Sequence, residues 1–122
     1  MRRLGELERS VMNVLWDAPG PVSVRGVLEA LDERDLAYTT IMTVLDRLGT
    51  KEMVRRERDG RAFLYSPALS RDAATSELLH AALDEAGADR TAALVHFART
   101  VDPAEAEALR AALEEITART KE

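Results

Sequence analysis

Apolar residues recur every three to four positions along the first fifty residues, and then the period changes to two. Leu4, Leu7, Val11, Val14 and Leu15 share one face, with Glu8, Asn13 and Asp17 opposite, which predicts a helix over about residues 5–17. The Ala18–Pro21 run APGP ends it. Ser23 suits the N-cap of a second helix, whose stripe is Val24, Val27, Leu28 and Leu31. The polar run Asp32–Leu36 reads as a loop. A third helix opens near Tyr38, buries Ile41, Val44, Leu45 and Leu48, and ends near residues 49–52. Val54–Arg58 and Arg61–Ser66 then flank Asp59-Gly60. This is a strong short hairpin signal, and it predicts a type I′ turn with positive φ at both central residues.

Three helices and a hairpin within about 65 residues are the layout of a winged helix-turn-helix. Past Pro67 the chain becomes alanine-rich and helical again. Ser70 is placed to cap a helix bearing Ala74, Leu78, Leu79 and Leu83, with a stop near Gly87. A second stretch carries Ala93, Leu94, Phe97, Ala98 and Val101 on one face. In DPAE, Asp102 is the N-cap, Pro103 the first helical residue and Glu105 the third, and Leu109, Ala112, Leu113 and Ile116 follow at helical spacing. The expected fold class is mainly α with a small β-hairpin wing. The expected division is a winged-helix domain at 1–66 and a helical domain at 67–122. About 55 residues are too few to bury three apolar stripes alone, so these helices either fold back on the first domain or associate with a second copy through Leu78, Leu79, Leu94, Phe97, Leu109, Leu113 and Ile116.

Charge sharpens this division. The 122-residue chain has a net charge of −5, yet residues 1–66 hold eleven basic and eleven acidic side chains. Residues 67–122 hold six basic against eleven acidic and carry the whole excess. Arg55, Arg56, Arg58 and Arg61 cluster at the hairpin, so a polyanion would approach the first half and be repelled by the second. With no cysteine, disulfides and thiolate chemistry are excluded, which fits a reducing cytoplasm. The start MRRLGELERS has no apolar run behind its arginines and does not read as a secretory signal. No apolar run reaches the ~20 residues of a membrane helix, so no membrane insertion is expected.

Candidate chemistry points to binding. No Gly-rich phosphate loop, GxSxG or HExxH occurs, and His80 and His96 lie on different helices without a second ligand at metal spacing. No catalytic residue, metal or cofactor is expected. On the third helix, burying the apolar stripe turns Thr39, Thr40, Met42, Thr43 and Arg47 outward. Threonine hydroxyls can bond phosphates or base edges, their methyls can meet a thymine methyl, and arginine can grip guanine or phosphate, so this face suits a major groove. On the hairpin, alternation puts Arg56 and Arg58 on one face, with Arg61 opening the return strand. Phe63 and Tyr65 would pack the wing on the body. Four arginines at a narrow tip suit a phosphate strand or an adjacent minor groove, and Arg25, near the start of the second helix, is a further candidate for phosphate.

At LGELERSVMNVLW (Leu4–Trp16), PVSVRGVLEAL (Pro21–Leu31), YTTIMTVLDRL (Tyr38–Leu48) and DGRAFLYSP (Asp59–Pro67) the chain resembles the BlaI/MecI/CopY family of penicillinase repressors. LVHFARTVDPAEAEALRAAL (Leu94–Leu113) is similar to the family's dimerisation region. The resemblance covers nearly the whole chain. It implies a homodimeric winged-helix repressor on a double-stranded, inverted-repeat operator, controlling β-lactamase, methicillin-resistance or copper-handling genes. The copper branch uses a cysteine-rich C-terminus that this chain lacks. The antibiotic branch implies a membrane sensor protease as partner and cleavage at an Asn-Phe bond, which corresponds here to His96-Phe97. The alternative is a winged-helix sensor or protein-interaction module responding to a metal or small molecule. A protein-binding module would want an apolar outer face on the third helix, where only Met42 offers one.

Overall fold

The computed structural model describes residues 4–32 and 35–120. Part of the loop expected at 32–36 therefore lies outside the described residues, as do the two arginines at the start. The elements are α1 (Glu6–Asp17), β1 (Val22–Ser23), α2 (Val24–Leu31), α3 (Tyr38–Thr50), β2 (Val54–Asp59), β3 (Ala62–Pro67), α4 (Arg71–Glu85), a short 3-10 turn (Gly87–Asp89), α5 (Arg90–Thr100) and α6 (Pro103–Thr120). The mainly helical fold with a small antiparallel sheet is as expected. Two compact units divide the chain, Met1–Leu79 and His80–Glu122.

In the first unit, α1, α2 and α3 close on one core with the sheet. Val11, Met12, Leu15, Val24, Val27, Ile41, Val44, Leu45, Leu48, Met53, Val54, Tyr65 and Ala74 are buried. Burial outweighs local preference in α3, where Thr39, Thr40, Ile41, Thr43 and Val44 are all β-branched and lose side-chain freedom in a helix. Its end is set by a Schellman motif. Met53 N–H donates to Leu48 O at 2.9 Å and Glu52 N–H to Gly49 O at 3.0 Å. Glu52 takes the left-handed conformation, φ +61°, that glycine usually fills at this position. Ser23 caps α2 as expected, its hydroxyl accepting from Gly26 N–H at 3.0 Å.

The sheet has the order β1-β3-β2, all antiparallel. The two-residue β1 was not expected. It extends the hairpin by pairing Val22 with Tyr65 and Ser23 with Leu64. The turn also differs from the expected type I′. The register pairs Asp59 with Ala62, so the two-residue loop is Gly60-Arg61, one position later. Gly60 has φ +63°, while neither Asp59 nor Arg61 has a positive φ. Positive φ at the first central residue alone is the type II′ pattern, which needs glycine only there. Arg61 accordingly belongs to the turn and does not open the return strand.

The first compact unit runs thirteen residues past the boundary expected at 66, because α4 begins against α1. Trp16 Nε1–H donates to Leu69 O at 2.9 Å. Arg71 pairs with Asp17 at 3.0 Å and lies over the Trp16 ring, 5.2 Å from its centroid. Ala74 completes the core on this side. Ser70 caps α4 through Ala73 N–H at 3.1 Å.

In the second unit Asp102 Oδ1 caps α6, accepting from Ala104 N–H at 2.8 Å and Glu105 N–H at 3.1 Å, as DPAE predicts. Arg90 pairs with Asp84, and Arg110 with Glu107 and Glu114. These pairs are exposed, so each contributes little. Among residues 80–120 no side chain is buried.

Candidate nucleic-acid interface

On α3 the expected outward residues all reach solvent: Thr39, Thr40, Met42, Thr43 and Arg47 are exposed. Thr43 Oγ–H donates to Thr39 O at 3.0 Å. Its donor is thereby spent, and it offers a ligand its acceptor lone pairs and its methyl. The centre of the face holds two residues that the sequence reading passed over. Asp46 and Thr50 stand seven and eleven positions after Thr39, on the same helical stripe, and both are exposed. The i, i+7, i+11 spacing was the available signal. A carboxylate there repels phosphate but can accept a hydrogen bond from a cytosine amino group. Asp46 lines an open groove of about 460 Å³ between α3 and the wing, with Thr50, Arg56 and Tyr65.

The end of α3 is tied to the start of α1. Lys51 Nζ donates to Glu8 Oε1 at 2.9 Å, and the same oxygen accepts Gly5 N–H at 2.9 Å. Glu8 Oε2 is buried with no hydrogen-bond partner among the described residues. Burial pushes the Glu8 carboxyl up. The bond from Lys51, the Gly5 N–H and the charges of Lys51 and Arg47 outweigh that and hold it below the usual carboxylate value.

All four wing arginines are exposed, but the register separates them. Arg56 lies opposite Tyr65 and Arg58 opposite Phe63, so these four share one face. Arg55 shares the other face with Glu57 and Asp59, which offset it. Tyr65 is buried and Phe63 half-buried, in line with the expectation that they seat the wing on the body. Arg25 is exposed on α2, its guanidinium 5.5 Å from the centroid of the Tyr38 ring.

The expected dimer residues are mostly uncovered. Leu79 is 53% exposed, Phe97 49%, Leu113 60% and Ile116 57%, and Leu94 and Leu109 are exposed too. Leu78 differs: it is half-buried and lines a cavity of about 160 Å³ in the first unit with Trp16, Met53 and Ala74. His96 and Phe97 lie side by side on the surface of α5. His80 Nδ1 lies 3.4 Å from Arg90 Nη2. Among the described residues no three His, Cys, Asp or Glu side chains gather as a metal site would require, and no helix is long and apolar enough to cross a membrane.

Comparison with known proteins agrees with this geometry. The family model of the penicillinase repressors matches residues 4–115. The transcriptional regulator BlaI of Mycobacterium tuberculosis, in two strains, is 50% identical over 121 residues, spanning 97% of this chain and 88% of that protein. Among solved structures, the DNA-binding domain of the repressor BlaI is similar with a TM-score of 0.50 and 27% identity, over 57% of this chain and 84% of that one. A MarR-family protein from Bacillus stearothermophilus shares the fold, with a TM-score of 0.50 and 15% identity over 99% of this chain and 78% of that one. A helix-turn-helix with an arginine-bearing wing, matched along nearly its whole length by that family model and by a half-identical relative, places this chain in the penicillinase repressor family of DNA-binding transcriptional regulators.

Proposed function

We propose that the protein is a homodimeric transcriptional repressor that binds an inverted-repeat operator and controls β-lactamase or other antibiotic-response genes in the cytoplasm. The observation that carries this reading is the exposed α3 face of Thr39, Thr43, Met42 and Arg47 beside a wing whose arginines all reach solvent. Thr39, Thr40, Met42, Thr43 and Arg47 meet base edges and nearby phosphates. Arg25, Arg55, Arg56, Arg58 and Arg61 serve the backbone, with Arg56 and Arg58 foremost because no acid shares their face. The apolar residues left uncovered on α5 and α6 support pairing with a second copy. A membrane sensor protease is the proposed upstream partner.

Selection from a randomised duplex pool tests this. It should return an inverted repeat with half-sites about one helical turn, or a multiple, apart. In fluorescence anisotropy Arg47→Ala should weaken the selected site more than random DNA, by ~1–3 kcal/mol for a base contact. Arg58→Ala should weaken both alike and reduce the salt slope by about one phosphate contact. A selected site without symmetry, or an Arg58→Ala protein with an unchanged slope and altered sequence preference, would contradict the reading.

A further inference from the structure

Two guanidinium groups of the wing converge on one ring. Arg56 Cζ lies 4.3 Å from the Phe63 centroid and Arg58 Cζ 5.4 Å from it. The register explains the convergence: Phe63 is directly opposite Arg58 and diagonal to Arg56 on the same sheet face. Arg58 has a second restraint, because its Nε–H donates to Gly60 O at 3.3 Å, which ties it to the turn. Two like charges on neighbouring positions of a face repel, and in water each long side chain samples many rotamers. The ring's negative faces attract both cations and hold them to one place. Phe63 also lines a cleft of about 320 Å³ with Ser23, Val24, Arg25, Tyr38 and Ala62. Across it the arrangement repeats, with Arg25 over Tyr38. The cleft thus holds Arg25 with Tyr38 on one side and, on the other, the Phe63 ring that carries the two wing arginines.

We propose that Phe63 is a positioning residue for DNA binding: it holds Arg56 and Arg58 ordered on the wing before a phosphodiester backbone arrives. The inference rests on the wing's proposed phosphate role and adds to it a residue that touches no DNA. Ordering a long side chain on binding opposes association, and a side chain already ordered opposes it less. A positioning residue and a contacting residue leave different signatures. Removing a phosphate contact flattens the dependence of affinity on salt, because fewer counterions are released. Removing the ring leaves the contacts available and lowers affinity at every salt concentration with the slope kept.

The test uses the full-length protein and a labelled random-sequence duplex, with anisotropy read over a range of salt. Phe63→Leu should bind about five- to tenfold more weakly at each salt concentration with the wild-type slope, and Phe63→Tyr should restore binding because it keeps the ring. In an Arg56→Ala/Arg58→Ala background, Phe63→Leu should have no further effect. Binding of Phe63→Leu within about twofold of wild type overturns the proposal. So does an equal loss in the double-alanine background, which would make the effect one of folding. If the double-alanine protein alone binds with the wild-type affinity and slope, the phosphate role of the wing fails, and the positioning role with it.

Discussion

Glu8 shows how one side chain connects the start of α1 to the end of α3. Its Oε1 closes the first turn of α1 through Gly5 and receives Lys51 just past the end of α3, and its side chain is only 12% exposed. Its pKa is lowered in the folded protein, so the ionised form is the stabilising one. That contribution is complete above the unfolded carboxylate pKa and is lost as pH falls through the lowered folded value. Glu8→Gln keeps the shape and loses the charge. We expect it to cost about 1–2 kcal/mol at pH 7, with the gap to wild type closing on acidification below the ordinary carboxylate range. Urea unfolding followed at several pH values measures this, and a gap independent of pH would refute it. Arg47 lies within electrostatic reach of the same carboxyl, so Glu8→Gln also tests whether this arginine, proposed to face the operator, is held from behind.

At the scale of elements, the hairpin and the end of α3 depend on two unusual backbone positions. Gly60 supplies the positive φ of the wing turn, whereas Glu52 takes a left-handed conformation at the end of α3 although it has a side chain. A left-handed L-residue costs roughly 1–2 kcal/mol, part of which glycine gives back through its freer unfolded chain. Glu52→Gly is therefore expected to stabilise the protein by about 0.5–1 kcal/mol, seen as a higher urea midpoint at unchanged m-value. A lower midpoint would mean that the Glu52 side chain contributes more than its backbone costs. α5 is vulnerable for a different reason. It has eleven residues, a length at which an isolated helix is marginal in water, and His96 and Phe97 lie exposed in its second half. A protease site engineered between residues 96 and 97 should, once cut, release the proposed dimer and lose operator affinity with the residues proposed to face DNA untouched. A cut protein that remains dimeric and keeps its operator would exclude cleavage here as the switch.

For the whole molecule, the two units are unequally satisfied. The first buries a contiguous core from Val11 to Ala74, while residues 80–120 bury no side chain within one chain. The exposed apolar residues of α5 and α6 support the proposed pairing with a second copy. Leu113→Asp with Ile116→Asp should leave the helical content of the chain unchanged and give a monomer by light scattering at micromolar concentration, where the wild type is expected to run as the proposed dimer. The monomer should retain half-site binding and lose about a hundredfold or more on a full operator, since joined modules bind at a raised effective concentration. A wild-type monomer, or an aspartate variant that still pairs, would remove α6 from the interface.

Much of this was decided by local chemistry that a sequence displays directly. The stripes of α1, α2 and α3, the Ser23 and Asp102 caps, the hairpin and the outward face of α3 follow from spacing and from single side chains meeting backbone N–H groups within three residues. Such interactions depend on the helical or extended period alone. Only the folded chain decided what depends on distant partners. The hairpin register moved the turn to Gly60-Arg61 and paired β3 with β1, since register follows which residues reach the core. Trp16 and Arg71, 55 positions apart, carried the first unit on to Leu79 and drew Leu78 toward its core. Alternation along the strand already puts Arg56 and Arg58 on one face and Arg55 on the other. Only the register with β3 decided that Phe63 and Tyr65 stand on the face of Arg56 and Arg58, because cross-strand partners depend on pairing and not on the period of one strand.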